Sequence, residues 1–174
     1  MVILRPTAKL HRTLPVDEEP SQASDTALGD WYAKPLKVDY QPLLLLLSSQ
    51  SLLAIVAPAR QLSSLPQRLP DLVAARLRRL GVAPALITAE VTAMVPVRLA
   101  PTRDRSVLGT LVDFAKNIPF YLPIRGWDET TLPFLEFRLA ETPCRCSDHH
   151  TETIWPQRDA VRLLESRWHP LEAS

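Results

Sequence analysis

The chain has 174 residues, of which 46% are hydrophobic and 22% charged, enough for one domain with a real core and little room for a second. Its 20 basic and 19 acidic residues leave a net charge of +1, which excludes a highly charged disordered chain and gives no general pull toward nucleic acid. The four glycines, none closer together than seventeen residues, exclude the glycine-rich loops that cradle phosphate in dinucleotide folds and P-loop ATPases.

In chain order, Val2–Leu4 is a short apolar run that reads as a first strand. Residues 13–26 carry Asp17, Glu18, Glu19, Pro20 and several serines without periodicity, and read as an exposed loop. An extended pattern resumes over Trp31–Val38 and is followed by a turn at Asp39–Pro42. Leu43–Leu47 and Leu52–Val56 are then apolar runs flanking Ser48–Ser51, which predicts a hairpin; a helix over Leu43–Val56 is the alternative. Leu69, Leu72, Val73, Leu77 and Leu80 recur at helical spacing up to Gly81, with Arg68, Arg76 and Arg79 expected on a solvated face. Pro84 opens a second helix to about Met94, with Leu86, Ile87 and Val91 inward, and Val95–Leu99 alternates as a strand. A third helix runs from Arg105 to Ile118 and stops at Pro119. Leu132–Leu139 reads as a strand, and Pro156 opens a last helix over about 156–168. The expected architecture is a single α+β domain over 1–174, a mostly antiparallel sheet with three to four helices packed on it.

The N-terminal residues lack the layout of a signal peptide. The apolar stretch Leu43–Ala57 is interrupted by Ser48–Ser51 and falls short of the ~20 residues that a membrane span needs. Cys144 and Cys146 are separated by one residue, a poor spacing for a disulfide. These features point to a cytoplasmic protein without a membrane segment.

Three stretches stand out together: Ala27–Ala33 (ALGDWYA), Arg105–Ala115 (RSVLGTLVDFA) and Arg138–Cys144 (RLAETPC). In order and spacing they resemble an uncharacterised family of small bacterial proteins, a domain of unknown function. Its members begin with a short strand and carry a similar LGDWYA followed by a hydrophobic hairpin, an NRSVLG-MND helix start and often an RLAETPC close. The resemblance covers most of residues 1–144. It implies the fold and a bacterial cytoplasmic setting, and no activity. Asp104 stands where an Asn is common, and Leu111-Val112-Asp113 replaces the Met-Asn-Asp ending, so a site built on those Asn residues would be altered here.

Three candidate sites follow. At Thr102–Ser106, Arg103 and Arg105 flank a helix start whose free amides, with Ser106, would suit an anion; capping by Thr102 or Asp104 is the simpler use of the same residues. Gly109, a costly residue inside a helix, suggests close approach of a ligand or another backbone. The second site is Asp30 with Trp31 and Tyr32, a carboxylate beside a stacking surface for a base or peptide, unless the aromatic rings pack into the core. With Asp113 and Glu141, Asp30 would supply acid–base or metal chemistry if the three converged. The third is Cys144, Cys146, His149 and His150, whose ligand types suit zinc but whose spacing does not match a standard finger. No cofactor is expected, zinc being the one candidate. The leading expectation is a non-catalytic interaction or regulatory module that binds another protein, antitoxin-like or immunity-type. The alternative is an enzyme, a hydrolase or nuclease, acting on phosphate-containing or nucleic-acid substrates.

Overall fold

A computed structural model describes residues 1–122, 124, 126–145 and 152–169. Among these residues five strands form one sheet: β1 (Val2–Pro6), β2 (Trp31–Val38), β3 (Gln41–Ser48), β4 (Ala54–Pro58) and β5 (Val97–Leu99), in the order β4-β3-β2-β1-β5. β2, β3 and β4 form an antiparallel meander, whereas β1 lies parallel to both β2 and β5. The α+β class holds, but the sheet is mixed rather than mostly antiparallel.

Five α-helices are present among the described residues, one or two more than expected: α1 (Leu65–Arg79), α2 (Pro84–Ala93), α3 (Arg105–Asn117), α4 (Thr131–Ala140) and α5 (Pro156–Trp168). None is long and apolar enough to cross a membrane. The additional helix is α4, which corrects the strand expected over Leu132–Leu139. Its buried residues are Thr131, Leu135, Glu136, Leu139 and Ala140, a helical stripe, while Phe134 and Phe137 are 43% and 51% exposed. The pattern misleads because a charged residue holds an inner position and two aromatic residues hold outer ones.

Helices cover both faces of the sheet. Val2, Leu4, Trp31, Leu44 and Leu46 pack with α1, α2 and α5, whereas Tyr32, Leu43, Leu45 and Leu47 pack with α3 and α4. Successive strand residues point to opposite faces, so a strand covered on both sides must be apolar throughout. That is why Leu43–Leu47 is an unbroken leucine run, and why Trp31 and Tyr32 enter different halves of the core. The expected hairpin is present, with Leu45 opposite Val56. The β2–β3 turn places Asp39 and Tyr40 at φ 47° and 64°, the two positive values that a tight two-residue hairpin requires.

One helical arginine is not where the pattern puts it. Arg76 is buried, and its guanidinium donates to the carbonyl of Ala54 and lies beside the Glu136 carboxylate. Glu136 in turn accepts from the Val56 N–H and from Arg79. β4 is an edge strand with one row of unpaired backbone groups. Side chains from α1 and α4 satisfy part of that row by reaching round the edge from opposite faces.

Candidate functional site

An open groove of about 1240 Å³ lies where β2 begins. Its walls are the segment 23–30, the tip of the β3–β4 hairpin at Ser49 and Gln50, the turn Arg103–Arg105, and Leu163, Ser166 and Arg167 of α5.

The segment 27–30 is fixed from three sides before it meets the groove. Glu90, fully buried on α2, accepts from the N–H groups of Ala27 and Leu28 at 2.9 and 3.0 Å and from the Trp168 indole at 2.7 Å. Ser48 Oγ donates to the Leu28 carbonyl. The Asp30 N–H donates to Ser49 Oγ, and the Ser49 N–H to the Asp30 carbonyl. Gly29 is required here: its φ is +73°, and a Cβ would lie 2.5 Å from Ser49 Oγ. Thus the helix α2, the hairpin and the C-terminal helix all set the position of Asp30.

Asp30 is committed at both oxygens. Oδ2 accepts from Arg5 Nε at 2.5 Å and Oδ1 from Ser24 Oγ at 2.6 Å. Arg5, on β1, has no solvent exposure at all, and it spends its remaining donors on Glu19 Oε1 and Oε2 (2.6 and 2.8 Å) and the Pro101 carbonyl (2.6 Å). Arg103 adds a second cation to the same carboxylate, 3.0 Å from Glu19 Oε1. Burial works against the charge on Arg5, but the hydrogen bonds to Glu19 and Asp30 outweigh it and raise the guanidinium above its usual range. The bond from Arg5 holds the Glu19 carboxyl below the usual glutamate value. Burial pushes the Tyr32 phenol up, and its oxygen accepts from the Asp104 N–H.

The start of α3 is capped in the ordinary way. Asp104 accepts from the N–H groups of Ser106 and Val107 at 2.9 and 3.1 Å, so the free amides that an anion would need are already engaged. Ser106 does not line the groove. Gly109 lies farther along α3 with open space where a Cβ would be, which corrects the expectation of a close approach there. Arg105 lines the groove and is exposed, and its side chain has no ion pair or hydrogen bond among the described residues.

The other candidates fall as follows. Trp31 is fully buried and Tyr32 nearly so, on opposite faces of the sheet, so the two rings form no shared stacking surface. Asp113 is exposed on α3, about 14 Å along the helix axis from Asp104, and Glu141 caps the end of α4. Neither lines the groove, so Asp30, Asp113 and Glu141 are not brought together. Cys144 is buried, and its backbone pairs with Ile154. Cys146, His149 and His150 lie outside the described residues, and no group of three or more metal-ligating side chains occurs among the described residues.

Arg5, Glu19 and Glu90 are site residues that the sequence patterns did not single out. Arg5 and Glu90 are charges within or beside an apolar run, and such a residue signals an inner role only when its element is known to be covered on both faces; Glu19 belongs to an acidic loop whose contact with Arg5 no local pattern shows.

No curated protein and no solved structure matches the chain. A family model does match it, across residues 3–159, and by that match the chain belongs to DUF6933, a domain of unknown function.

Proposed function

We propose that the protein is a non-catalytic interaction module that receives a partner protein in the groove beside β2, in the cytoplasm of a bacterial cell. The observation that carries this reading is the state of the groove's charges. Asp30 is locked to Arg5 and Ser24, Asp104 caps α3, and Asp25 pairs with Arg167. No histidine lines the groove among the described residues. A general acid or base must be free to exchange a proton with substrate, and Asp30 and Asp104 are spent on architecture, while Asp25 is held in an exposed ion pair. Arg105 is left as an exposed cation at the groove wall whose side chain has no ion pair among the described residues, suited to an acidic side chain of a partner.

The test is affinity purification of the tagged protein from its native cells at physiological salt, beside Arg105→Glu. A stoichiometric protein partner is expected with the wild type, with affinity reduced more than about tenfold by the reversed charge. Purification with a stoichiometric nucleotide, RNA or divalent metal instead would overturn the reading in favour of an enzyme acting on phosphate-containing substrates. A partner held equally by Arg105→Glu would remove the groove from the interface.

A further inference from the structure

The carboxylate of Glu19 sits in surroundings that proteins commonly build for a ligand. Its two oxygens face the planar fork of a fully buried arginine, bidentate at 2.6 and 2.8 Å, with a second arginine 3.0 Å away. The two halves of this arrangement differ in kind. Arg5 is fixed in the sheet, 0% exposed and oriented by Asp30 and Pro101. Glu19 comes from the loop 13–26, and its side chain is 40% exposed.

The loop is anchored on either side of Glu19. The Asp17 N–H donates to the Leu99 carbonyl, Ser24 Oγ is held by Ile3 and Asp30, and the Asp25 N–H donates to the Met1 carbonyl. Between Glu18 and Ala23, Glu19 makes the only hydrogen bonds among the described residues. Beneath this span lies a hollow of about 390 Å³, with Met1, Arg98 and Leu99 on its floor. The segment therefore bridges open space and is held at one side chain.

We propose that Arg5 and Arg103 form a receptor for a single carboxylate, that Glu19 fills it in the free protein, and that an acidic side chain of the partner replaces Glu19 there. Charge selects the ligand class. Two arginines with the adjacent Asp30 carry a net single positive charge, which one carboxylate neutralises and a phosphate dianion would overshoot. Position selects the source. Arg103 and Asp30 both belong to the groove wall, so a chain lying in the groove can present a side chain to the receptor. The nature of the displacing group rests on the partner-binding reading above; the receptor and its internal occupant do not. Glu19 acts as a tethered competitor, with the high effective concentration of an intramolecular group.

The test uses the isolated full chain and two probes, sodium acetate and inorganic phosphate, titrated at constant ionic strength while the arginine Nε–Hε resonances are followed by NMR. In Glu19→Gln, acetate is expected to shift the Arg5 resonance saturably, about tenfold more tightly than in the wild type, and more tightly than phosphate does. Adding Arg103→Ala to that variant should weaken acetate again. No saturable shift in a folded Glu19→Gln, or equal affinity in the variant and the wild type, would overturn the receptor. Tighter binding of phosphate would overturn its assignment to carboxylates. The wild type gives an arm that needs no variant: acetate should move the Arg5 resonance and the amides of Glu18, Glu19 and Ser21–Ala23 along one saturation curve, and separate behaviour would overturn displacement of the segment. Absence of a partner with acetate exchange intact would count against the partner reading alone.

Discussion

Two clusters among the described residues bury an arginine against a carboxylate, and they do different work. At the edge of β4, Arg76 and Glu136 both come from helices, and Glu136 is 1% exposed. Their polar atoms go to the strand itself, to the carbonyl of Ala54 and the N–H of Val56. Beside the groove, Arg5 is as deeply buried, but its carboxylate partner arrives on a loop and remains 40% exposed. In the first cluster neither charge can leave without stranding a backbone group, so the cluster is architecture. In the second the carboxylate can leave into water while Arg5 keeps Asp30 and the Pro101 carbonyl. A buried arginine is therefore no guide to function by itself; the exposure of its partner carboxylate and the kind of element that carries it are the informative features.

The largest effect should come from breaking the architectural cluster. Glu136→Ala leaves Arg76 buried without its counter-charge and the Val56 N–H without an acceptor, a change expected to cost about 3–5 kcal/mol. Chemical denaturation would measure it, and a loss below about 1 kcal/mol would mean that the edge contacts are incidental. Next comes Glu90→Ala, which strands the amides of Ala27 and Leu28 and frees the Trp168 indole. A loss of about 2–3 kcal/mol is expected, together with a changed Trp168 fluorescence, because this carboxylate too is spent on the backbone.

How far the sequence could anticipate this contrast follows from what each element exposes. The β3–β4 hairpin was legible because both of its faces are apolar and its ends carry turn residues. The helices α1, α2, α3 and α5 were legible from their stripes and their prolines. The helix α4 was not, because Glu136 faces inward while Phe134 and Phe137 face water. The parallel pairing of β1 was hidden for a different reason: residues 7–30 lead from β1 to its parallel neighbour without an α-helix, so the usual crossover signal is missing. Asp30, Arg103 and Arg105 were found as candidates and do meet in the groove region. Glu19 was seen only as part of an acidic loop, since its meaning depends on Arg5, fourteen residues away in sequence.

The smallest effect is the one that best separates the two clusters. Glu19→Gln should cost only about 1 kcal/mol or less at neutral pH, since its partner carboxylate is substantially exposed and Arg5 keeps other partners. Its signature lies in the acid limb. The Glu19 carboxyl in the folded protein is held below the ordinary value of 4.5, first by the hydrogen bond from Arg5. The folded state therefore binds this proton less readily than the unfolded chain does. The stability Glu19 contributes is complete above the ordinary value and is lost as pH falls through the lowered one. Glu136 has the opposite sign: burial raises its carboxyl, so its contribution grows on acidification and declines as pH rises through the raised value. Removing Glu19 takes away the acid-side loss and leaves the opposing contribution in place. The urea midpoint of Glu19→Gln should then fall less steeply than that of the wild type between about pH 6 and about pH 3, the two curves converging at the acid end. Parallel curves would mean that Glu19 is not bound to Arg5 in solution, and the contrast between a fixed and an exchangeable carboxylate would collapse.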